Sequence, residues 1–340
     1  MRVAVAGGLT AVGRLIALRL VAGGHEVVVI DSAKPEFAAD WIKVEFCDPA
    51  TVVHAVDQLK GDFDALVSAI DWPPLKSSSQ DILVTRFLSA RLLLETMIER
   101  LSSGASILTV SSRAGWQWKQ HYEQVQVLMG LSSVAEIADF VRSDEIDNLR
   151  AYALGSEALI AWTTTKTEEL LSRGIRANTV SPAAVQDEYF DEFTELLGGK
   201  AVKNVERAGR VGQPDEVADV IEWLLSSKSS WIKGQDIIVD GGIGAMITSD
   251  KLQNASQTKQ DMSVLGIATS PSVLKRSARI ALVVGLVLAA LNHGDRIFAG
   301  NVDTNTLLKI CLTFFVPFCV STYSSVLAVR SNMQRIQSPI

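Results

Sequence analysis

A glycine-rich octet, Ala6-Gly7-Gly8-Leu9-Thr10-Ala11-Val12-Gly13, stands between a short apolar run (residues 2–6) and a run with helical spacing (residues 14–22). Such a turn lets backbone N–H groups and the positive end of a helix meet a pyrophosphate. The next apolar run, His25 to Ile30, ends on Asp31. An acid there accepts hydrogen bonds from both ribose hydroxyls and repels a 2′-phosphate, so the sequence predicts NAD over NADP. A glycine turn alone says little; turn, helix, strand and acid in that order say more. The alternative is a fold of the same type that holds no nucleotide. A second polar group, Asn292-His293-Gly294-Asp295-Arg296, lies in the apolar tail, followed by Lys309 and by Ser321-Thr322-Tyr323-Ser324-Ser325. Polar groups inside a membrane helix are costly and therefore functional candidates. Arg296 would attract a small anion and His293 would exchange protons near neutral pH. The plainer reading is a set of interfacial residues on a simple anchor. Cys47, Cys311 and Cys319 lack metal-ligand spacing, and with four histidines no metal site is expected.

The elements that must position these residues follow from periodicity. Strands are expected at 2–6, 25–30, 42–46, 64–69, 105–110, 175–180 and 236–239, with helices between them at 14–22, 86–101, 152–172 and 214–227. Gly23-Gly24 closes the first helix. Strands alternating with helices imply an α/β fold, a Rossmann-type doubly wound parallel sheet over residues 1–248. Residues 117–148 read as a helical insertion. Residues 249–274, rich in Ser, Thr, Gln, Lys and Asp, read as a linker.

Residues 275–333 read as a two-helix membrane domain. Leu307 to Val329 is 23 residues long with Lys309 its one charge, and at 1.5 Å per residue it spans roughly 34 Å, enough for a bilayer core. Pro317 is tolerable there. Ile280 to Leu291 is strictly apolar but only 12 residues, and reaches spanning length by continuing toward Ala299. A buried soluble helix is the alternative. The net charge of −6 is unevenly placed: residues 261–340 hold three acids and seven bases, a balance of +4, leaving −10 for the first 260. An acidic body with a basic, apolar tail points to a lipid bilayer as partner and away from nucleic acid. Basic residues outside both runs (Lys275, Arg276, Arg279; Arg330, Arg335) place both outer ends in the cytoplasm and residues 297–306 on the far side. With no secretory signal at Met1, the front domain is expected in the cytoplasm.

Further motifs carry a family resemblance. Val110-Ser111-Ser112-Arg113-Ala114-Gly115, Tyr152, Ile175 to Pro182, Gly209 to Ala218, and Gly234-Gln235 with Val239-Asp240-Gly241-Gly242 together resemble the short-chain dehydrogenases over residues 1–247. The serine-to-tyrosine separation of 40 positions (Ser112 to Tyr152), longer than the family's usual dozen or so, and the ending Asp240-Gly241-Gly242-Ile243 look like the bacterial 3α-hydroxysteroid dehydrogenase/carbonyl reductase branch. The resemblance implies NAD held by Gly7, Thr10, Val12, Gly13, Asp31, Asp48 and Pro182. It implies Tyr152 as general acid/base and Ser112 as the hydroxyl that orients the substrate oxygen. The family's lysine, which holds the ribose and lowers the tyrosine's pKa, falls at Ser156. A free tyrosine has a pKa of about 10, so without a cation the phenolate is scarce. Lys166 is no substitute, roughly 21 Å along the same helix.

Other departures point the same way. Ala11 replaces the middle glycine of the turn, and the Asn-Asn-Ala-Gly stretch is Ser68-Ala69-Ile70-Asp71. The relay asparagine aligns with Arg86, Pro-Gly becomes Pro182-Ala183, and Asp187 stands where a threonine is expected. These read as an impaired catalytic site on a retained fold, with Ser112 and Tyr152 as packed or solvated remnants. Arg86 is expected on the helix surface, replacement of the lost cation being the alternative.

In the tail, Asn292 to Asp295, Leu308-Lys309-Ile310 and Thr313 to Ser325 resemble the small two-helix bacterial nitrate/nitrite transporters. That resemblance implies passage of nitrate, nitrite or another small anion across the inner membrane, with His293, Asp295, Arg296, Ser321 and Tyr323 as candidate path residues. Two helices cannot enclose a pore, so a homo-oligomer is expected. The leading expectation is thus a membrane transport protein with an NAD-binding, catalytically impaired front domain. The alternative is a membrane-tethered NAD-dependent oxidoreductase acting on an alcohol or ketone.

Overall fold

The computed structural model describes residues 1–340 apart from 39, 73, 74, 76, 188, 262, 263, 299, 301, 302 and 338–340. It falls into two compact units, Met1–Met246 and Ile247–Ile340.

The first unit is built on strands β1 (Arg2–Ala6), β2 (Glu26–Asp31), β3 (Asp40–Lys43), β4 (Phe63–Ser68), β5 (Leu101–Val110), β6 (Arg176–Pro182) and β7 (Asp236–Val239). They form one parallel sheet in the order β3-β2-β1-β4-β5-β6-β7. Residues of a strand point alternately to opposite faces. Ala4, Ala6, Val28 and Ile30 therefore enter one core, while Val3, Val5, Val27 and Val29 enter the other. Both faces are covered, which is why these strands read as unbroken apolar runs.

The helices of this unit are α1 (Ala11–Ala22), α2 (Pro49–Gln58), α3 (Ser79–Leu83), a π-helical segment (Val84–Ser89), α4 (Ala90–Met97), α5 (Tyr122–Gly130), α6 (Val134–Ser143), α7 (Asn148–Ser172), α8 (Phe190–Leu197), α9 (Gly199–Ala208) and α10 (Pro214–Leu225). Helices α1 and α10 contribute to the second core, and α2, α3, α4 and α7 to the first. The sheet reverses its winding between β1 and β4, and ligands of such folds bind at the carboxyl ends of the strands at that point.

The expected strand at 42–46 lies earlier, at Asp40–Lys43. The chain leaves the sheet because Thr51 Oγ1 takes a hydrogen bond from Glu45 N (3.0 Å) and Asp48 N donates to Glu45 O (2.8 Å). The insertion folds as α5 and α6, with Val125, Leu128, Ile137 and Phe140 in the first core. Arg91 holds their connection by donating to Met129 O and Leu131 O, both at 2.7 Å.

The second unit continues α11 (Ile243–Asp261) and adds α12 (Val264–Thr269), α13 (Pro271–Phe298) and α14 (Thr304–Gln337). Residues 249–261, expected as part of a linker, are helical. Lys, Gln, Leu and Ala favour helix, and no Gly or Pro interrupts 245–265. Helices α13 and α14 run antiparallel: Val273 packs near Val326, Gly285 receives Phe314, and Arg296 Nη1 donates to Thr306 Oγ1 at 3.0 Å. Among the described residues, one helical stretch, Thr304–Val329, is long and apolar enough to cross a membrane. Helix α13, the first of the two expected spans, does not meet that measure among its described residues. Its apolar run ends at Leu291, before the polar residues 292–296, and is preceded by Arg279.

Candidate active site

The glycine turn is shaped by contacts that admit no side chain. Gly7 has φ +74°, and a Cβ on it would drive into the Ala69 carbonyl and lie 2.9 Å from Ile70 N. A Cβ on Gly13 would run into the Gly7 carbonyl and come 3.0 Å from Thr10 Oγ1. Thr10 closes the turn, donating to Gly7 O (2.9 Å) and accepting from Gly13 N (3.2 Å) as the N-cap of α1. Val12 is buried under it. Ala11, at the expected middle glycine, is accommodated as the first residue of α1.

Asp31, 7% exposed, ends β2 beside this turn. Its Oδ2 accepts from Leu9 N at 2.8 Å and its Oδ1 from Ser32 N at 2.7 Å. Burial pushes its carboxyl up, against the pull of those backbone bonds. Ser68 Oγ, at the carboxyl end of β4, is buried with no hydrogen-bond partner among the described residues. A turn closed to side chains, a helix N-terminus, an acid at the end of β2 and an unsatisfied hydroxyl fit a dinucleotide without a 2′-phosphate. Asp48 caps α2, its carboxylate accepting from Ala50 N at 3.1 Å. Pro182 ends β6, half-buried.

Ser112 follows β5 and Tyr152 lies in the first turns of α7. Despite a separation of 40 positions, the Ser112 hydroxyl lies close enough to the Tyr152 hydroxyl to favour its phenolate. The insertion that separates them in sequence loops out as α5 and α6 and returns. Tyr152 is 4% exposed and Ser156 is fully buried. Ser156 Oγ donates back to Tyr152 O at 2.9 Å, and Ser111 Oγ donates to Ser156 O at 3.0 Å, locking α7 to the end of β5.

Arg86 is not on a helix surface. It is 1% exposed, and its guanidinium carbon stands 3.9 Å from the centre of the Tyr152 ring. Its Nη2 donates to Ser156 Oγ at 3.0 Å, and its Nη1 forms an ion pair with Asp71. The π-helical segment carries it there, since one extra residue in a turn re-aims the side chain. Two of the departures read as decay, Arg86 and Asp71, are therefore partners of opposite charge. The Tyr152 hydroxyl is held above the ordinary phenol value: burial raises it most, Arg86 lowers it, and the Asp71 and Asp187 charges raise it.

A second ion pair went unforeseen. Arg113, next to Ser112, donates to Asp240 Oδ2 at 3.1 Å and lies 4.5 Å over Trp116. Asp240 also accepts from Gly242 N and Gly244 N. The Asp240-Gly241-Gly242 close thus fixes the segment that carries Ser112. The sequence held one signal for it, an acid and a base both set inside motifs. Glu157, with its side chain 1% exposed, is held by Arg150 Nη2 at 2.8 Å and His121 Nδ1 at 2.6 Å.

The tail candidates do not gather. His293, Asp295 and Arg296 lie at the α13 end next to the connection. Ser321 and Tyr323 lie roughly 22–26 Å farther along α14, counted from Thr306. Ser321 is buried, whereas Tyr323 is 66% exposed.

The family described as enoyl-(acyl carrier protein) reductase matches residues 7–244. Among characterised proteins, a coniferyl-alcohol dehydrogenase of a Pseudomonas species is 27% identical, over 72% of this chain and 96% of its own length. The 3-alpha-hydroxysteroid dehydrogenase/carbonyl reductase of Comamonas testosteroni is 24% identical, over 72% of this chain and 97% of its own. Of solved structures, the 3-alpha-hydroxysteroid dehydrogenase of Pseudomonas sp. B-0831, complexed with NADH, superposes with a TM-score of 0.63. It is 22% identical and covers 73% of this chain and 99% of its own. The family match stops at residue 244, ahead of α12, α13 and α14.

Proposed function

The chain belongs to the short-chain dehydrogenase/reductase family, and from that premise we infer that it is an NAD(H)-dependent oxidoreductase acting on an alcohol or ketone. The observation that carries this reading is the hydroxyl pair of Ser112 and Tyr152 with a buried cation on the tyrosine ring. It is tied to the glycine turn through one short segment: Gly7 packs on Ala69, and Asp71 two residues later pairs with Arg86. The turn would hold the pyrophosphate and Asp31 the adenosine ribose. NADH, when bound, supplies the hydride. Ser112 orients the substrate oxygen, and Tyr152 Oη moves the proton to or from it. The relatives' names, a coniferyl-alcohol dehydrogenase and a 3-alpha-hydroxysteroid dehydrogenase/carbonyl reductase, favour a ring-bearing alcohol or ketone of the hydroxysteroid or carbonyl type.

We further propose that α13 and α14 tether this domain to a bilayer, with the domain on the cytoplasmic side of a bacterial inner membrane. Leu282, Val283, Leu286 and Leu291 on α13, and Leu308, Phe315, Val316 and Val320 on α14, are each more than half exposed. Apolar surface on this scale calls for lipid or a partner. Trp231, 92% exposed, and half-exposed Ile238 on edge strand β7 offer surface for self-association. The test of function is binding of NADH and NADPH to the full-length protein, read by nicotinamide fluorescence. NADH bound at least tenfold more tightly supports the reading; binding of neither, by folded protein, defeats it.

A further inference from the structure

We propose that Arg86 and Asp71 act as one charge pair that sets the protonation of Tyr152 and fits the site to give a proton to a carbonyl rather than take one from an alcohol. The inference rests on the oxidoreductase reading for its substrate but on side-chain geometry for the pair itself. A fully buried guanidinium persists only when paired and hydrogen-bonded. Arg86 has Asp71 on Nη1, Ser156 on Nη2 and the Tyr152 face at 3.9 Å.

Small residues on α7 make room for it. Ser156 is fully buried with its Oγ 3.0 Å from Nη2, so a longer side chain there would meet the guanidinium. A Cβ on Gly155 would already lie 3.4 Å from Arg86 Cβ. Ser156 is thus the complement of Arg86 rather than a deletion. Arginine at 86 and serine at 156 form one arrangement, and Asp71 completes it.

The two charges oppose each other at the ring. A cation over an aromatic face favours the phenolate. The carboxylate bonded to that same cation favours the phenol, and so do Asp187 and burial. At neutral pH the resting group is therefore the phenol. In reduction the carbonyl carbon gains a hydride from NADH and its oxygen gains the Tyr152 proton; Tyr152 then regains a proton from solvent. In oxidation Tyr152 must first lose that proton, which its surroundings resist.

The test is a cofactor-free titration of the phenolate absorbance of the full-length protein, with Tyr152→Phe subtracted to isolate this group among four tyrosines. Wild type should show no Tyr152 ionisation at or below the ordinary tyrosine value of about 10. Asp71→Asn should raise the phenolate fraction at least about tenfold at a given pH, a shift of about one unit. Arg86→Met should move it the other way. Ionisation of wild-type Tyr152 at the ordinary value, or identical curves in both variants, overturns the proposal. Should the variants not fold, the wild-type profiles decide: reduction flat through neutral pH with oxidation still rising supports the pair, and an oxidation plateau at neutral pH overturns it. Absence of turnover with any carbonyl would remove the oxidoreductase reading while leaving the titration to judge the pair.

Discussion

Replacing Asp240 by alanine probes how the end of the family segment holds the catalytic serine. The substitution leaves Arg113, one residue from Ser112, without its carboxylate in a site where its side chain is 10% exposed. Breaking a buried pair by removing one partner costs about 3–5 kcal/mol. The Gly244 N–H, 2.7 Å from Asp240 Oδ2 and buried, loses its hydrogen bond to that carboxylate as well, a loss of about 1.5–3 kcal/mol taken alone. The Trp116 ring 4.5 Å from the guanidinium and the exposed Gly242 offset part of this, so the whole effect is about 3–5 kcal/mol. All seven tryptophans lie in the first unit. Tryptophan fluorescence during urea unfolding of the full-length protein therefore reads this unit alone. The midpoint should fall with the slope unchanged. The double variant Asp240→Leu with Arg113→Met should recover about half of the loss, because the two changes share one interaction. A loss under about 1 kcal/mol, with Arg113 unchanged, would refute the assignment of this pair as the clamp on the Ser112 segment.

Three other outcomes follow from the site and the tail. Asp31→Ala combined with Ser32→Arg should move preference from NADH to NADPH by at least tenfold, seen in fluorescence titrations; an unchanged preference removes Asp31 from the ribose site. Since burial holds the Asp31 carboxyl above its ordinary range, its charge is lost sooner as pH falls. Discrimination against NADPH should thus shrink in mild acid. The same raised value means that Asp31 contributes stability below its unfolded pKa and loses it as pH rises through the folded one. Asp31→Asn should accordingly leave thermal stability at pH 7 unchanged or higher, and a clear drop in melting temperature would contradict this. The full-length protein should remain with membranes after a high-salt wash, and replacing Leu286 and Phe315 with aspartate should release it; release of wild type by salt alone would reduce the tail to a peripheral contact.

The sheet was legible because its central strands are buried on both faces and separated by glycine turns, so residues 2–6, 64–69 and 105–110 stand out without any partner. The loop after β3 was not, because the exit of Val44 and Glu45 depends on Thr51 side-chain bonds. The helix at 249–261 was masked by a polar composition typical of linkers, although its residues favour helix one by one. In the site, the glycine turn and Asp31 were visible as types at expected spacings, and Ser112 and Tyr152 by the motifs around them, despite their long separation. The position of Arg86 was not, since Asp71 and Ser156 are 15 and 70 residues away in sequence and a π-helical segment aims it. Its signal was a pair of departures with opposite charge, which taken singly resembled loss. The tail motif gave helices correctly, but the apolar run of α13 ends ahead of polar residues 292–296, through which the helix continues to Phe298, and the polar candidates fall at separate levels of the hairpin.

The central claim is that a hydride-transfer site operates around Tyr152. Its most direct test is NADH oxidation by the full-length protein with ring-bearing ketones, measured beside Tyr152→Phe and with NADH binding followed in both. Turnover in wild type that falls at least a hundredfold in Tyr152→Phe, with NADH affinity unchanged, is the expected result. Equal turnover in the two proteins, or none in wild type that binds NADH across a broad set of ketones, would contradict it.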